Sequence, residues 1–143
     1  MNHILLSALI SLFLAQIIKI FTINPINVTN ALTSGGFPSS HTSMVVTLTT
    51  LLGLKYGFSS DMFSLALVFS LIVMYDARGV RRAVGEQANL LNQLTKHLNA
   101  KDENIAALLK EDLKELIGHT PVEVLGGLVL GIVVALTGRY SLF

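Results

Sequence analysis

The fold is decided by one polar stretch that lies between two apolar runs, Gly35-Gly36-Phe37-Pro38-Ser39-Ser40-His41. Glycines let backbone N–H groups converge on one point, the two serines add hydroxyl donors, and His41 is able to move a proton. This combination of groups suits the binding of an oxyanion. A second polar stretch, 118–123, opens a later apolar run. We expect the fold to bring the two stretches together.

The composition is typical of a membrane protein. Of the 143 residues, 52% are hydrophobic and 13% are charged, and the mean hydropathy is positive. The chain has no cysteine, which excludes disulfides and thiolate metal sites. A net charge of +1, without a basic run interleaved with aromatic residues, gives no support for nucleic-acid binding. The expected partners are therefore membrane lipids.

Four segments are apolar enough, and long enough or nearly so, to span a bilayer, which takes roughly 20 residues. We predict a single all-α membrane domain over residues 1–143, a polytopic helix bundle with spans at about 4–23, 42–58, 62–77 and 121–137.

A helical insert of different character is predicted at about 79–117. Apolar residues recur there at spacings of three and four, which indicates an amphipathic helix, at Val80, Val84, Leu91, Leu94 and Leu98 with Gln87. A second amphipathic helix is predicted to follow, with its apolar face at Ile105, Leu109, Leu113 and Leu116. Both helices are too polar to span, so we expect them at the membrane surface or packed as a lid on the bundle.

The distribution of basic residues predicts the orientation. Seven of the ten Lys and Arg residues lie in the loop between the third and fourth spans. The positive-inside rule then puts this loop in the cytoplasm and both termini outside, in a plasma membrane of bacterial type. Four polar clusters fall at the same cytoplasmic face: Lys19, the residues Ser39 to His41, the residues Arg78 to Arg82, and the residues His119 to Glu123.

His119 and Glu123 are four residues apart at the head of a helix, so their side chains share one face. A carboxylate that holds one imidazole nitrogen makes the other a better nucleophile or base. The alternatives are that Glu123 only satisfies His119 structurally or caps the helix. A metal site formed by His41, His119 and Glu123 is a further alternative, but the surrounding Lys and Arg would repel a cation. We therefore expect neither metal nor cofactor.

Each of the basic residues in these clusters has two interpretations. Lys19 either extends to the interface from its position near a helix end or serves the site. Arg78, Arg81 and Arg82 either flank the third span in the ordinary positive-inside way or bind phosphate, which a guanidinium group matches well.

Two motifs resemble those of a known superfamily. Pro38-Ser39-Ser40-His41 resembles the Pro-Ser-Gly-His motif of the type 2 phosphatidic acid phosphatases. The residues from His119 to Glu123 look like the superfamily's His-x-x-x-Asp motif, with Glu in place of Asp. The stretch 74–82 also resembles the small divergent branch of that superfamily, and the similarity to this branch extends over nearly the whole chain.

The resemblance implies a metal-independent hydrolase that acts on a lipid phosphate monoester or diphosphate, phosphatidic acid-like or isoprenyl. By the superfamily's mechanism, His119 would attack phosphorus to give a phosphohistidine, and Glu123 would orient the imidazole of His119. His41 protonates the leaving oxygen and then activates water. The groups that would hold the phosphoryl oxygens are Lys19, Arg78, and Ser39 or Ser40.

Departures from the superfamily pattern leave alternatives open. The superfamily's arginine before the nucleophilic histidine has no counterpart here, so its function falls to Arg78, Arg81 or Arg82. Familiar members have about six core helices, so either the surface helices or a homodimer would complete the core. A phosphotransferase with the same intermediate is a close variant. The alternative from another class is a non-catalytic protein that binds or carries anionic lipids and keeps a vestigial site.

Overall fold

The computed structural model describes residues 3–22, 26, 35–99 and 119–139, without the side chains of 80–82 and 95–99. These ranges form helices, which are α1 (His3–Thr22), α2 (Ser40–Tyr56), α3 (Asp61–Arg78), α4 (Val80–Asn99) and α5 (Pro121–Gly138). Because the described ranges contain no strand, the prediction of an all-α protein is confirmed.

Three apolar segments among the described residues are long enough to cross a membrane: α1, the segment Asp61–Leu94 that runs from α3 into α4, and α5. The second predicted span, α2, has 17 residues and a length of about 25 Å at 1.5 Å per residue. It lies at the centre of the bundle, in contact with α1, α3 and α5. The observed bounds of α1, α2, α3 and α5 lie within two residues of the predicted spans.

The helices turn small residues inward and large apolar residues outward. The buried small residues include Ala8, Ser11 and Ala15 of α1, Ala66, Ser70 and Ala77 of α3, and Gly127, Gly131 and Ala135 of α5. The same helices expose large side chains such as Phe13, Phe69 and Leu125. This partition is expected of a membrane bundle, because lipid is as apolar as leucine and helices associate through close packing of small residues.

Buried hydroxyl groups tie the central helix to its neighbours. Each of three contacts joins α2 to a different helix: Ser11–Ser43 to α1, Thr49–Ser70 at 2.6 Å to α3, and Thr47 to the carbonyl of Gly131 at 3.0 Å to α5. Hydrogen bonds between helices in a membrane contribute about 0.6–2 kcal/mol each, so this set helps to specify how the bundle packs.

The backbones of α2 and α5 lie in contact. A Cβ added at Gly127 would lie 2.4 Å from the carbonyl oxygen of Ser39, and one added at Gly131 would lie 2.7 Å from that of Ser43. Side chains at these two positions would therefore force the helices apart. The approach brings the start of α2 directly against the start of α5.

The first helix of the predicted insert is observed as α4. Its buried residues in the described part are Gly85, Ala88 and Asn92, whereas Val84 and Leu91 of the apolar face are exposed. The described part of the apolar face therefore points away from the bundle. The second predicted helix, over Ile105 to Leu116, lies outside the described residues.

Candidate active site

Four helix ends meet at one end of the bundle. The N–H of His119, just before α5, donates to the carbonyl of Ala77 near the end of α3 at 2.9 Å. The N–H of Ser39, just before α2, donates to the carbonyl of Glu123 at 2.9 Å. The side chain of Lys19, near the end of α1, reaches the first residue of α2. These contacts assemble what we call the polar cluster: Lys19, Ser39, Ser40, His119 and Glu123.

The imidazole of His119 is buried and oriented by Glu123. Only 2% of His119 is exposed, and its Nδ1 lies 3.0 Å from Oε2 of Glu123. A carboxylate at this distance favours the tautomer in which Nδ1 carries the proton. The lone pair then lies on Nε2, which is also buried.

Glu123 also caps α5. Its Oε2 accepts the N–H of Thr120 at 3.0 Å, and its own N–H donates to Oγ1 of Thr120 at 3.4 Å. This reciprocal pair is a capping box, for which the sequence pattern Thr-x-x-Glu at 120–123 is the recognised signal. Glu123 therefore both caps α5 and contacts His119, so the two interpretations of this residue are compatible.

Lys19 is completely buried in α1, with 0% of its surface exposed. Its Nζ lies 3.5 Å from Oγ of Ser40, and its charge is attracted by the carboxylate of Glu123. The ammonium group of Lys19 therefore lies inside the polar cluster and not on the exposed surface of the bundle. A buried cation in a membrane span is costly and marks a functional site by default.

The two serines have different places at the start of α2. Ser39 is the N-cap, and its Oγ accepts the N–H of Thr42 at 3.4 Å and the hydroxyl of Thr42 at 3.0 Å. Ser40 is the first residue of the helix, two residues earlier than the sequence predicted. Both serines are buried, and they belong to the polar cluster at the start of α2. The positive end of the helix dipole therefore faces the polar cluster.

The loop before α2 is held by the helices on both of its sides. Gly36 has a φ of 95°, a conformation that glycine adopts at little cost, and the Phe37–Pro38 peptide is cis. The hydroxyl of Thr22, the last residue of α1, donates to the carbonyl of Phe37 at 2.5 Å. The ring of Phe37 lies against Gly126 of α5.

Two of the other predicted site residues, His41 and Arg78, are exposed at helix ends and do not belong to the buried cluster. His41 is the second residue of α2 and its side chain is exposed. Arg78 is the last residue of α3 and is exposed, directly after the Ala77 carbonyl that binds the N–H of His119. The side chains of Arg81 and Arg82 lie outside the described part. Their predicted role in phosphate binding stays a prediction.

A metal site does not form from the described side chains. Within the ranges 3–22, 35–99 and 119–139, no group of three or more His, Asp or Glu residues is placed to hold a metal ion. His41, His119 and Glu123 do not form such a group.

Sequence reasoning missed several residues that shape the site. Thr120 had a readable signal in its capping-box pattern. The sequence carries no such signal for Thr22, Thr42 or Gly126, because their partners lie in other helices or depend on where a helix starts.

The fold and the polar cluster define a helical membrane protein with an oriented histidine and a buried lysine at one end of the bundle. A family model described as "Divergent PAP2 family" matches residues 1–134. The chain is also 39% identical over 150 residues to a Bacillus subtilis (strain 168) protein described as "Uncharacterized membrane protein YuiD", covering 97% of this chain and 95% of that protein. The chain belongs to the Divergent PAP2 family, as the motif resemblance predicted. No solved structure matches it.

Proposed function

We propose that this membrane protein is a phosphatase that hydrolyses a lipid phosphate monoester or diphosphate through a phosphohistidine. One observation carries the proposal: a buried imidazole, held at Nδ1 by a carboxylate 3.0 Å away, in a cluster with a buried lysine. An oriented histidine is suited to nucleophilic catalysis, and a cation beside it is suited to hold the charge of a phosphoryl group.

The reaction has two displacements. Nε2 of His119 attacks phosphorus, an N–P bond forms, and the bond from phosphorus to the leaving oxygen breaks. The leaving oxygen takes the electron pair and a proton from His41. Water then attacks phosphorus and gives its proton to His41, and the N–P bond breaks with return of the electron pair to Nε2. The exposed position of His41 suits a group that exchanges protons with water.

The phosphoryl oxygens are held by the cations and donors around the imidazole. Lys19 and Ser40 are buried, so their interactions with an anion are strengthened by the low dielectric of the site. The start of α2 adds backbone N–H groups. Among the three arginines, the position of Arg78 beside the Ala77–His119 contact favours it as the guanidinium that completes the site.

The substrate is a lipid because the site lies at the end of a bundle whose outer surface is apolar. The tail of a lipid phosphate stays in the bilayer while its headgroup enters the polar cluster. The excess of basic residues in the loop between α3 and α5 favours a site at the cytoplasmic face, with the termini outside.

Phosphate release by the full-length protein in detergent tests the proposal. The panel is phosphatidic acid, phosphatidylglycerol phosphate, and isoprenyl mono- and diphosphates, with EDTA present throughout. His119→Ala removes the nucleophile, and His3→Ala is the matched control because His3 is exposed at the far end of α1. We expect release in the wild type and in His3→Ala, with a fall of at least about a thousandfold in His119→Ala.

Two other results would each reject the proposal. Release that persists in His119→Ala would exclude a phosphohistidine on this residue. No release from any substrate, with lipid phosphate still bound equally by wild type and His119→Ala, would favour the non-catalytic lipid-binding protein instead.

A further inference from the structure

We propose that Phe37 is a specificity-determining residue whose ring contacts the hydrocarbon of the substrate next to its phosphate. The inference rests on the proposed function, since it takes the polar cluster as the place of the phosphate. It assigns to the loop before α2 a role in selecting lipid-linked over water-soluble phosphates.

The ring lies beside the polar cluster. Phe37 is two residues before Ser39, whose N–H is bound to the carbonyl of Glu123. Its ring rests on Gly126, which is three residues after Glu123 and therefore about one helical turn from the carboxylate that holds His119.

The position of the ring depends on the absence of a side chain at Gly126. A Cβ added there would lie 2.2 Å from one ring carbon of Phe37 and 2.6 Å from the next. The ring thus fits directly against the backbone of α5, while the hydrogen bond from Thr22 of α1 holds the carbonyl of Phe37. With 41% of Phe37 exposed, part of this held ring stays accessible.

The ring begins an apolar strip that leads away from the site. The residues four before, three after and seven after Gly126 share its side of α5, and they are exposed: Val122, Val129 and Val133. The strip runs from the polar cluster along a membrane-spanning helix. Because it is continuous with the place proposed for the phosphate, its occupant is the hydrocarbon of the lipid whose phosphate is bound there.

The test compares a long-chain with a soluble substrate in the full-length protein. We would measure kcat/KM for dioleoyl phosphatidic acid and for p-nitrophenyl phosphate, at fixed detergent, and take their ratio. We expect Phe37→Ala to lower the ratio about tenfold, as loss of a hydrophobic contact in a specificity pocket does. Phe37→Leu should keep most of it. Phe69→Ala, which removes an exposed ring from the lipid-facing side of α3, should leave it unchanged.

Gly126→Ala gives an independent route to the same change. The added methyl group displaces the ring of Phe37, so this variant should lower the ratio as much as Phe37→Ala. The double variant should lower it no further, because both substitutions remove one contact. An equal fall in kcat/KM for both substrates in Phe37→Ala would overturn the inference, since Phe37 would then only support the loop.

Binding separates failure of the inference from failure of the proposed function. Dissociation constants are measured for an oleyl phosphonate, which has no hydrolysable ester bond, and for methylphosphonate. A wild type that hydrolyses nothing would reject the phosphatase proposal. Even then, Phe37→Ala should weaken oleyl phosphonate binding about tenfold relative to methylphosphonate. An unchanged ratio of the two constants would overturn the role of Phe37.

Discussion

At the scale of single residues, Glu123 joins the two polar stretches of the sequence. Its side chain binds the imidazole of His119 and caps α5, while its carbonyl accepts the N–H of Ser39. Glutamate has one methylene more than the aspartate of the related motif, and here Oε2 reaches both the imidazole and the N–H of Thr120. One residue therefore positions the candidate nucleophile, the helix start and the loop.

We expect Lys19 to contribute to function at the expense of stability. Burial of an ammonium group costs several kcal/mol, which Ser40 and Glu123 offset only in part. We expect Lys19→Met to keep or raise the midpoint of thermal unfolding in detergent and to lower phosphate release at least about a hundredfold. Lys55→Met, at the exposed far end of α2, is the matched control and should change neither. A lower midpoint with normal release would mean that Lys19 is structural.

At the scale of helices, the contact between α2 and α5 sets the geometry of the site. Both helices begin at the polar cluster, α2 after Ser39 and α5 after Thr120. Gly127, about two turns into α5, lets the backbone of that helix approach the carbonyl of Ser39 at the start of α2. The distance between the loop serines and the imidazole therefore depends on how closely these two helices approach.

Gly127→Ala should lower stability and activity together. Its methyl group meets the carbonyl of Ser39, which is backbone and unable to turn aside, so we expect a loss of about 1–3 kcal/mol in the free energy of unfolding. For stability, Gly126→Ala is the matched control, because its methyl group meets a side chain, the ring of Phe37, and not backbone. Thermal unfolding of both variants checks this, and equal midpoints would contradict the backbone contact.

At the scale of the whole molecule, the bundle has one polar end and an apolar outer surface. The ends of α1 and α3 and the starts of α2 and α5 form the polar end, and the turn between α2 and α3 lies at the other. The exposed apolar face of α4, with Val84 and Leu91, extends the apolar surface beyond the bundle. A homodimer stays a prediction.

Labelling of single cysteines tests the orientation. Since the chain has no cysteine, Ala83→Cys near the start of α4 and Ser59→Cys in the far turn each introduce the sole thiol. A membrane-impermeant maleimide should label Ala83→Cys from the cytoplasmic side and Ser59→Cys from outside. The reverse pattern would place the site on the outer face and would contradict the orientation read from the charges.

The sequence by itself determined the helices, the His119–Glu123 pair and the family, because each depends on residues that are close in the chain. Apolar runs, periodicity and caps are local, and the spacing of four puts the pair on one helix face. Only the tertiary structure decided that Lys19 points inward, that Ser40 lies in the buried cluster while His41 is exposed, and that Phe37 rests on Gly126. These features follow from contacts between distant helices, whose approach is set by small residues and buried hydroxyl groups along the whole bundle.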